Sequence, residues 1–112
     1  MKTTPLALFL VAAAAPAWAH AKLQSSDPAA NSSVKSPSLI RLVFSESLEP
    51  AFSGASLSDT TGKTIPVSAA VGASAITLMP LSLKPGVYKV SWHSVGHDTH
   101  RVAGSFTFKV IP

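Results

Sequence analysis

From residue 20 onward, turn residues cut the chain into short pieces, and no helical periodicity runs through them. Ser25-Ser26-Asp27-Pro28, Asn31-Ser32-Ser33, Ser36-Pro37, Asp59-Thr60-Thr61-Gly62-Lys63, Val71-Gly72-Ala73 and Lys84-Pro85-Gly86 are rich in residues whose local hydrogen bonding or backbone geometry favours turns. Between them lie runs with apolar/polar alternation or β-branched content, at residues 20–24, 39–44, 55–58, 64–67, 75–78, 86–94 and 102–110. Successive side chains of a strand point to opposite faces, so Tyr88, Val90 and Trp92 share one face, and Phe106, Phe108 and Val110 share another. These two faces are expected to meet across a core. Seven such strands in one short chain predict an all-β fold, a small antiparallel immunoglobulin-like β-sandwich or Greek-key barrel.

The first 19 residues have a different character. Lys2 supplies a positive start, Leu6 to Ala15 an apolar stretch bounded by Pro5 and Pro16, and Ala17-Trp18-Ala19 a small-x-small cleavage site. This predicts a secretory signal peptide over residues 1–19 and a single domain over residues 20–112. Cleavage after Ala19 would make His20 the mature N-terminus. Ala19-His20-Ala21 also fits the small-x-small rule, and cleavage there would remove His20.

With 112 residues there is room for one small domain, which excludes a large multidomain enzyme. The absence of Cys excludes a disulfide scaffold, a zinc ribbon and thiol catalysis. Any metal site must therefore use nitrogen and oxygen. Nine Lys and Arg against five Asp and Glu give a basic chain, yet the cations are scattered singly and form no nucleic-acid stripe. Gly-x-Ser-x-Gly is absent, and Asp27 and Asp59 sit in turns, where Asp bonds its own backbone.

Gly96-His97-Asp98-Thr99-His100 concentrates two of the four His beside the last strand. In an extended segment Asp98 and His100 face one way, and His97 and Thr99 the other. Carboxylate and imidazole at that spacing form half of a nitrogen/oxygen metal site, or an ordinary hydrogen-bonded pair. The mature N-terminus adds weight to the first reading. A terminal His offers its α-amine and its Nδ1, which close a six-membered chelate ring on a metal. His20, Asp98 and His100 then give three nitrogens and one oxygen, a set that favours one tetragonal Cu(II) ion over the all-oxygen shells of Ca²⁺ or Mg²⁺. His93 and His97 fall off the parity of the pair and are left outside the ligand set. Glu46 is either an acceptor behind the ligands or a solvated strand end.

His20-Ala21-x-Leu23-x-x-Ser26-x-Pro28-Ala29, Val34, Pro37, Leu42-x-Phe44-Ser45-Glu46, Gly86-x-Tyr88-x-Val90-x-Trp92 and Asp98-x-His100-x-x-x-Gly104-x-Phe106-x-Phe108 follow one another along nearly the whole mature chain. In this the sequence resembles the CopC family of periplasmic copper-resistance proteins. The resemblance implies a small β-sandwich in the bacterial periplasm that binds Cu(II) through the terminal His20, Asp98 and His100. Some members also carry a Met-rich Cu(I) site. Here Met79 alone follows the leader, and one thioether cannot make such a site; Met79 is expected to fill the core or a strand end.

Two function classes follow. The first is a non-enzymatic, monomeric copper-binding protein that sequesters Cu(II) or carries it to an inner-membrane copper transporter. The second is a copper redox enzyme of the N-terminal-His oxygenase kind, which needs a broad substrate face that two Trp and one Tyr can hardly supply once the core is filled. A metal-free structural sandwich would leave both His20 and the Asp98/His100 pair as accidents.

Overall fold

The computed structural model describes residues 20–112; the segment read as a signal peptide lies outside the described residues. Nine strands form: β1 (Leu23–Asp27), β2 (Ser33–Lys35), β3 (Ile40–Phe44), β4 (Gly54–Asp59), β5 (Thr64–Ile65), β6 (Val67–Val71), β7 (Ala75–Pro80), β8 (Gly86–Val95) and β9 (Arg101–Ile111). Among the described residues a single 3-10 turn, Pro50–Phe52, interrupts them. They assemble as a β-sandwich, with a four-stranded sheet in the order β1-β3-β7-β6 and a five-stranded sheet in the order β2-β9-β8-β4-β5.

Burial follows the two-residue period. Ile40, Leu42 and Phe44 of β3 and Ile76 and Leu78 of β7 face inward from one sheet, and Leu57, Tyr88, Val90, Phe108 and Val110 face inward from the other. Burying each large aliphatic or aromatic side chain stabilises the fold by about 1.5–3 kcal/mol. Trp92 reaches across the layers to Phe44, with ring centroids 5.4 Å apart and planes at 72°. Gly104 opposite it has no side chain for a reason: a Cβ there would lie 2.6 Å from Trp92 Cζ2.

Several sequence expectations are revised, the first being the strand count, which is nine among the described residues and not seven. The Tyr88/Val90 and Phe106/Phe108 faces do not oppose each other. β8 and β9 pair antiparallel with Tyr88 opposite Phe108 and Val90 opposite Phe106, so the two faces lie side by side on one sheet and jointly cover the other. The expected strand at residues 64–67 is split by Pro66, which cannot donate to a ladder; β5 pairs with β4, and β6 with β7 in the other sheet. The pairing is also not wholly antiparallel, because β2 runs parallel to β9. Met79 is 42% exposed, so it leaves the core to its neighbours Leu78 and Pro80 and occupies the outer side near the end of β7.

Candidate metal centre

The site lies where three pieces of chain meet: the N-terminal segment, the end of β8 and the start of β9. Ala21 is fully buried, and its carbonyl accepts a hydrogen bond from the hydroxyl of Ser94, itself fully buried on β8. Ser45, just past β3, holds the same segment from the other side. Its N–H donates to Lys22 O at 2.9 Å, and its hydroxyl oxygen accepts from Lys22 N at 3.1 Å and donates to His20 O at 3.3 Å. Residues 20–22 are thus laid along the sandwich by backbone contacts that fix where His20 sits.

The opposite wall is the turn between β8 and β9. Thr99 N donates to Gly96 O at 2.9 Å, and Thr99 itself adopts φ +67°, in the left-handed region that a β-branched residue rarely enters. Asp98 and His100 are therefore brought together by a turn and not by the strand alternation expected from sequence. The Asp98 carboxylate closes it, with Oδ1 accepting from His100 N at 3.1 Å. Glu49 braces the turn from outside: its N–H donates to Val95 O at 2.7 Å, and its Oε2 lies 2.9 Å from His97 Nδ1.

The imidazoles of His20 and His100 converge on one carboxylate oxygen. Asp98 Oδ2 lies 2.7 Å from His20 Nδ1 and 3.3 Å from His100 Nδ1. The two rings meet edge to face at 5.0 Å and 82°. Ligand-capable atoms of His20, Asp98 and His100 all lie within 4.8 Å of one another. Partial burial, the strongest single influence on the Asp98 carboxyl, pushes its pKa up. Hydrogen bonds from His100, through its backbone and then its ring, and from His20 together outweigh this, and the pKa is lowered overall. A carboxylate kept ionised between two imidazole nitrogens is a donor set of borderline and hard atoms, which suits Cu(II), Zn²⁺ or Ni²⁺.

The three candidate ligands read from sequence are thus brought together, and the other candidates are not in the cluster. His97 pairs with Glu49 on the far side of the turn. His93 points to the outer face of the five-stranded sheet, over Gly54. Glu46 is exposed, and it is its neighbour Ser45 that touches the His20 segment. Sequence reasoning missed Ser45 and Ser94. Ser94 had a readable signal: it shares the inward parity of Tyr88, Val90 and Trp92, and a hydroxyl on an apolar face needs a partner.

Fold and site together define a class: small β-sandwiches that carry a histidine–carboxylate–histidine cluster where the segment before the first strand meets the turn before the last. The CopC domain model matches residues 23–111, and the chain belongs to the CopC family. It is 42% identical over 99 residues to Protein YobA of Escherichia coli strain K12, covering 83% of this chain and 80% of that one. It is 41% identical over 105 residues to Copper resistance protein C of Escherichia coli, covering 84% and 83%. The crystal structure of PcoC, a methionine-rich copper resistance protein from Escherichia coli, superposes with a TM-score of 0.75 at 37% identity, over 83% of this chain and 100% of that one.

Proposed function

We propose that this protein is a non-enzymatic Cu(II)-binding protein of the periplasm. It takes one ion through His20, Asp98 and His100 and either sequesters it or carries it to an inner-membrane copper transporter. The observation that carries the reading is the convergence of His20 Nδ1 and His100 Nδ1 on Asp98 Oδ2. Hydrogen bonds that now join these atoms are replaced by bonds to the ion, with each imidazole binding through an unprotonated Nδ1. Removal of the leader after Ala19 adds the α-amine of His20 to the donors. One carboxylate lowers the charge of the site and stabilises the oxidised ion against reduction. The family resemblance and the names of the copper-resistance relatives support copper as the cargo.

The oxygenase alternative is disfavoured by where the aromatic residues go. Trp92 is packed against Phe44, and Tyr88 is buried with its hydroxyl donated to Lys84 O at 2.7 Å. Among the described residues, neither Trp nor Tyr is left to form a flat sugar-binding platform.

Titration of the processed protein with Cu(II) and with Cu(I) under a competing chelator tests the proposal. One equivalent of Cu(II) and no comparable Cu(I) site is the expected result, since Met79 is the sole thioether of the described chain. Two tight equivalents, or unchanged affinity in Asp98→Asn and His100→Ala, would overturn it.

A further inference from the structure

The outer face of the five-stranded sheet has a charge pattern that the metal site does not use. Inward burial of Tyr88, Val90, Phe108 and Val110 sends Lys89, Ser91, His93 and Val95 of β8 outward, beside Lys109, Thr107, Ser105, Ala103 and Arg101 of β9. Lys35 of β2 lies next to Ile111 on the same face. The outward strand positions thus carry Lys35, Lys89, Arg101 and Lys109 and no carboxylate, with Ser, Thr and Ala positions and the exposed Val87 and Ile111 among them.

At one end this face deepens into a groove of about 680 Å³ lined by Glu49, Phe52, His93, Val95, Thr99 and Arg101. Phe52 is 65% exposed and offers an apolar ring to anything that enters the groove. Gly54 and Ala103 flank His93 on its two sides and leave the groove floor open. Thr99 belongs both to the groove wall and to the turn that holds Asp98 and His100.

We propose that this groove and the cationic face beside it dock an acidic segment of a partner protein, whose apolar side chain enters between Phe52, Val95 and His93. Charge selects the occupant. Lys35, Lys89, Arg101 and Lys109 attract carboxylates and repel a second copy of the same face. A bilayer matches less well, because it has no projecting side chain to fill a concave site. Docking there sets the partner against the outer side of the Asp98 turn. That the partner exchanges copper rests on the proposed function above, whereas the docking itself does not.

The test uses the processed, 15N-labelled protein and a short synthetic peptide with a central Phe flanked by Asp and Glu. Saturable amide shifts at Phe52, His93, Val95 and Arg101 are expected. Affinity should fall at least about tenfold with Phe52→Ser, with Lys89→Glu and Arg101→Glu, and when the peptide Phe is replaced by Ser. Phe52 lies outside the metal cluster, so Phe52→Ser should retain full Cu(II) affinity. No saturable shifts, or equal binding of the Phe-less peptide, would overturn the proposal. So would the same residues shifting with phosphatidylcholine–phosphatidylglycerol vesicles and not with the peptide, which would make the face a membrane surface. Loss of the Cu(II) stoichiometry with peptide binding intact would sink the copper reading and leave the docking site standing.

Discussion

The hydroxyl of Ser94 donates to the carbonyl of Ala21, 73 residues earlier in the chain, and both groups are shut away from solvent. This contact couples the candidate metal site to the core, because the residue it anchors is the immediate neighbour of His20. Replacing Ser94 by Ala removes the donor and leaves a buried carbonyl short of a partner, at a cost of about 1–3 kcal/mol. Chemical denaturation should register that loss. Cu(II) affinity should fall as well, since the 20–22 segment is no longer fixed against the Asp98 turn, and hydrogen exchange there should quicken. Unchanged exchange there would mean that Ser45 alone secures the segment.

The three candidate ligands were legible in the sequence, but for reasons only partly right. Asp98 and His100 stood out because two His and an acid cluster beside the last strand, yet their convergence depends on the left-handed backbone at Thr99, which no alternation rule foresees in a β-branched residue. The long strands β8 and β9 were readable because each holds a period of two over ten residues or more. β2 has three residues and one apolar side chain, and it forms because the edge of β9 is there to pair with, a tertiary cause. Sheet membership was illegible in the same way: alternation gives the face of a strand and not its neighbour, so two inward faces of one sheet were expected to oppose each other.

Thr99 is a place where the turn works against its own residue. An L-residue with a branched Cβ at φ +67° is strained by about 1–2 kcal/mol relative to its ordinary regions, whereas Asn enters that region readily. Thr99→Asn should therefore raise thermal stability by up to about 1 kcal/mol with copper affinity kept or improved. Thr99→Val retains the branching and loses the hydroxyl that donates to Asp98 O at 2.5 Å, and should be less stable than the parent. The order Asn above Thr above Val in melting temperature is the result to look for; the reverse order would mean the turn is not strained.

Leu78 is fully buried on β7, remote in sequence from the site residues, with Ile40 and Ala69 beside it on the flanking strands. Leu78→Ala should destabilise the fold by about 2–5 kcal/mol through lost burial and an unfilled cavity. Copper affinity at a temperature where the variant is folded should be unaltered. A large drop in affinity would show that core packing and ligand geometry are not separable.

If the α-amine of His20 is a ligand, one extra residue before it should abolish most of the Cu(II) affinity although every side chain remains. Acylation converts the amine to an amide, which does not shed its proton as readily and breaks the chelate ring with Nδ1. Competition titration of the two forms, with the N-terminal residue verified by intact mass, decides this. Equal affinities would mean that the amine is not used and that the imidazoles and Asp98 suffice.

Acid should remove the metal before it removes the fold. Copper binding requires deprotonated imidazole, and imidazole in general takes up a proton at a higher pH than a carboxylate does. The fold rests on an apolar core that does not titrate in this range, to which two carboxylates with lowered pKa values add. Asp59 is held down first by the Thr61 hydroxyl at 2.6 Å, then by the N–H of Lys63 at 3.0 Å, against some desolvation. Asp98 is lowered by its bonds to His100 and His20, which outweigh the larger opposing effect of burial. A carboxyl whose folded pKa lies below its unfolded value contributes stability above the unfolded value of about 3.9, and that stability is lost as pH falls through the folded value. The fold should thus keep these contributions through the range in which the ion is released, and Asp59→Asn should flatten the stability profile only on the acid side of pH ~4. The copper d–d band and far-UV circular dichroism, followed in one acid titration, should give two separate midpoints, with the copper midpoint moved to higher pH by His100→Ala. Coincident midpoints would mean that metal and sandwich form one cooperative unit.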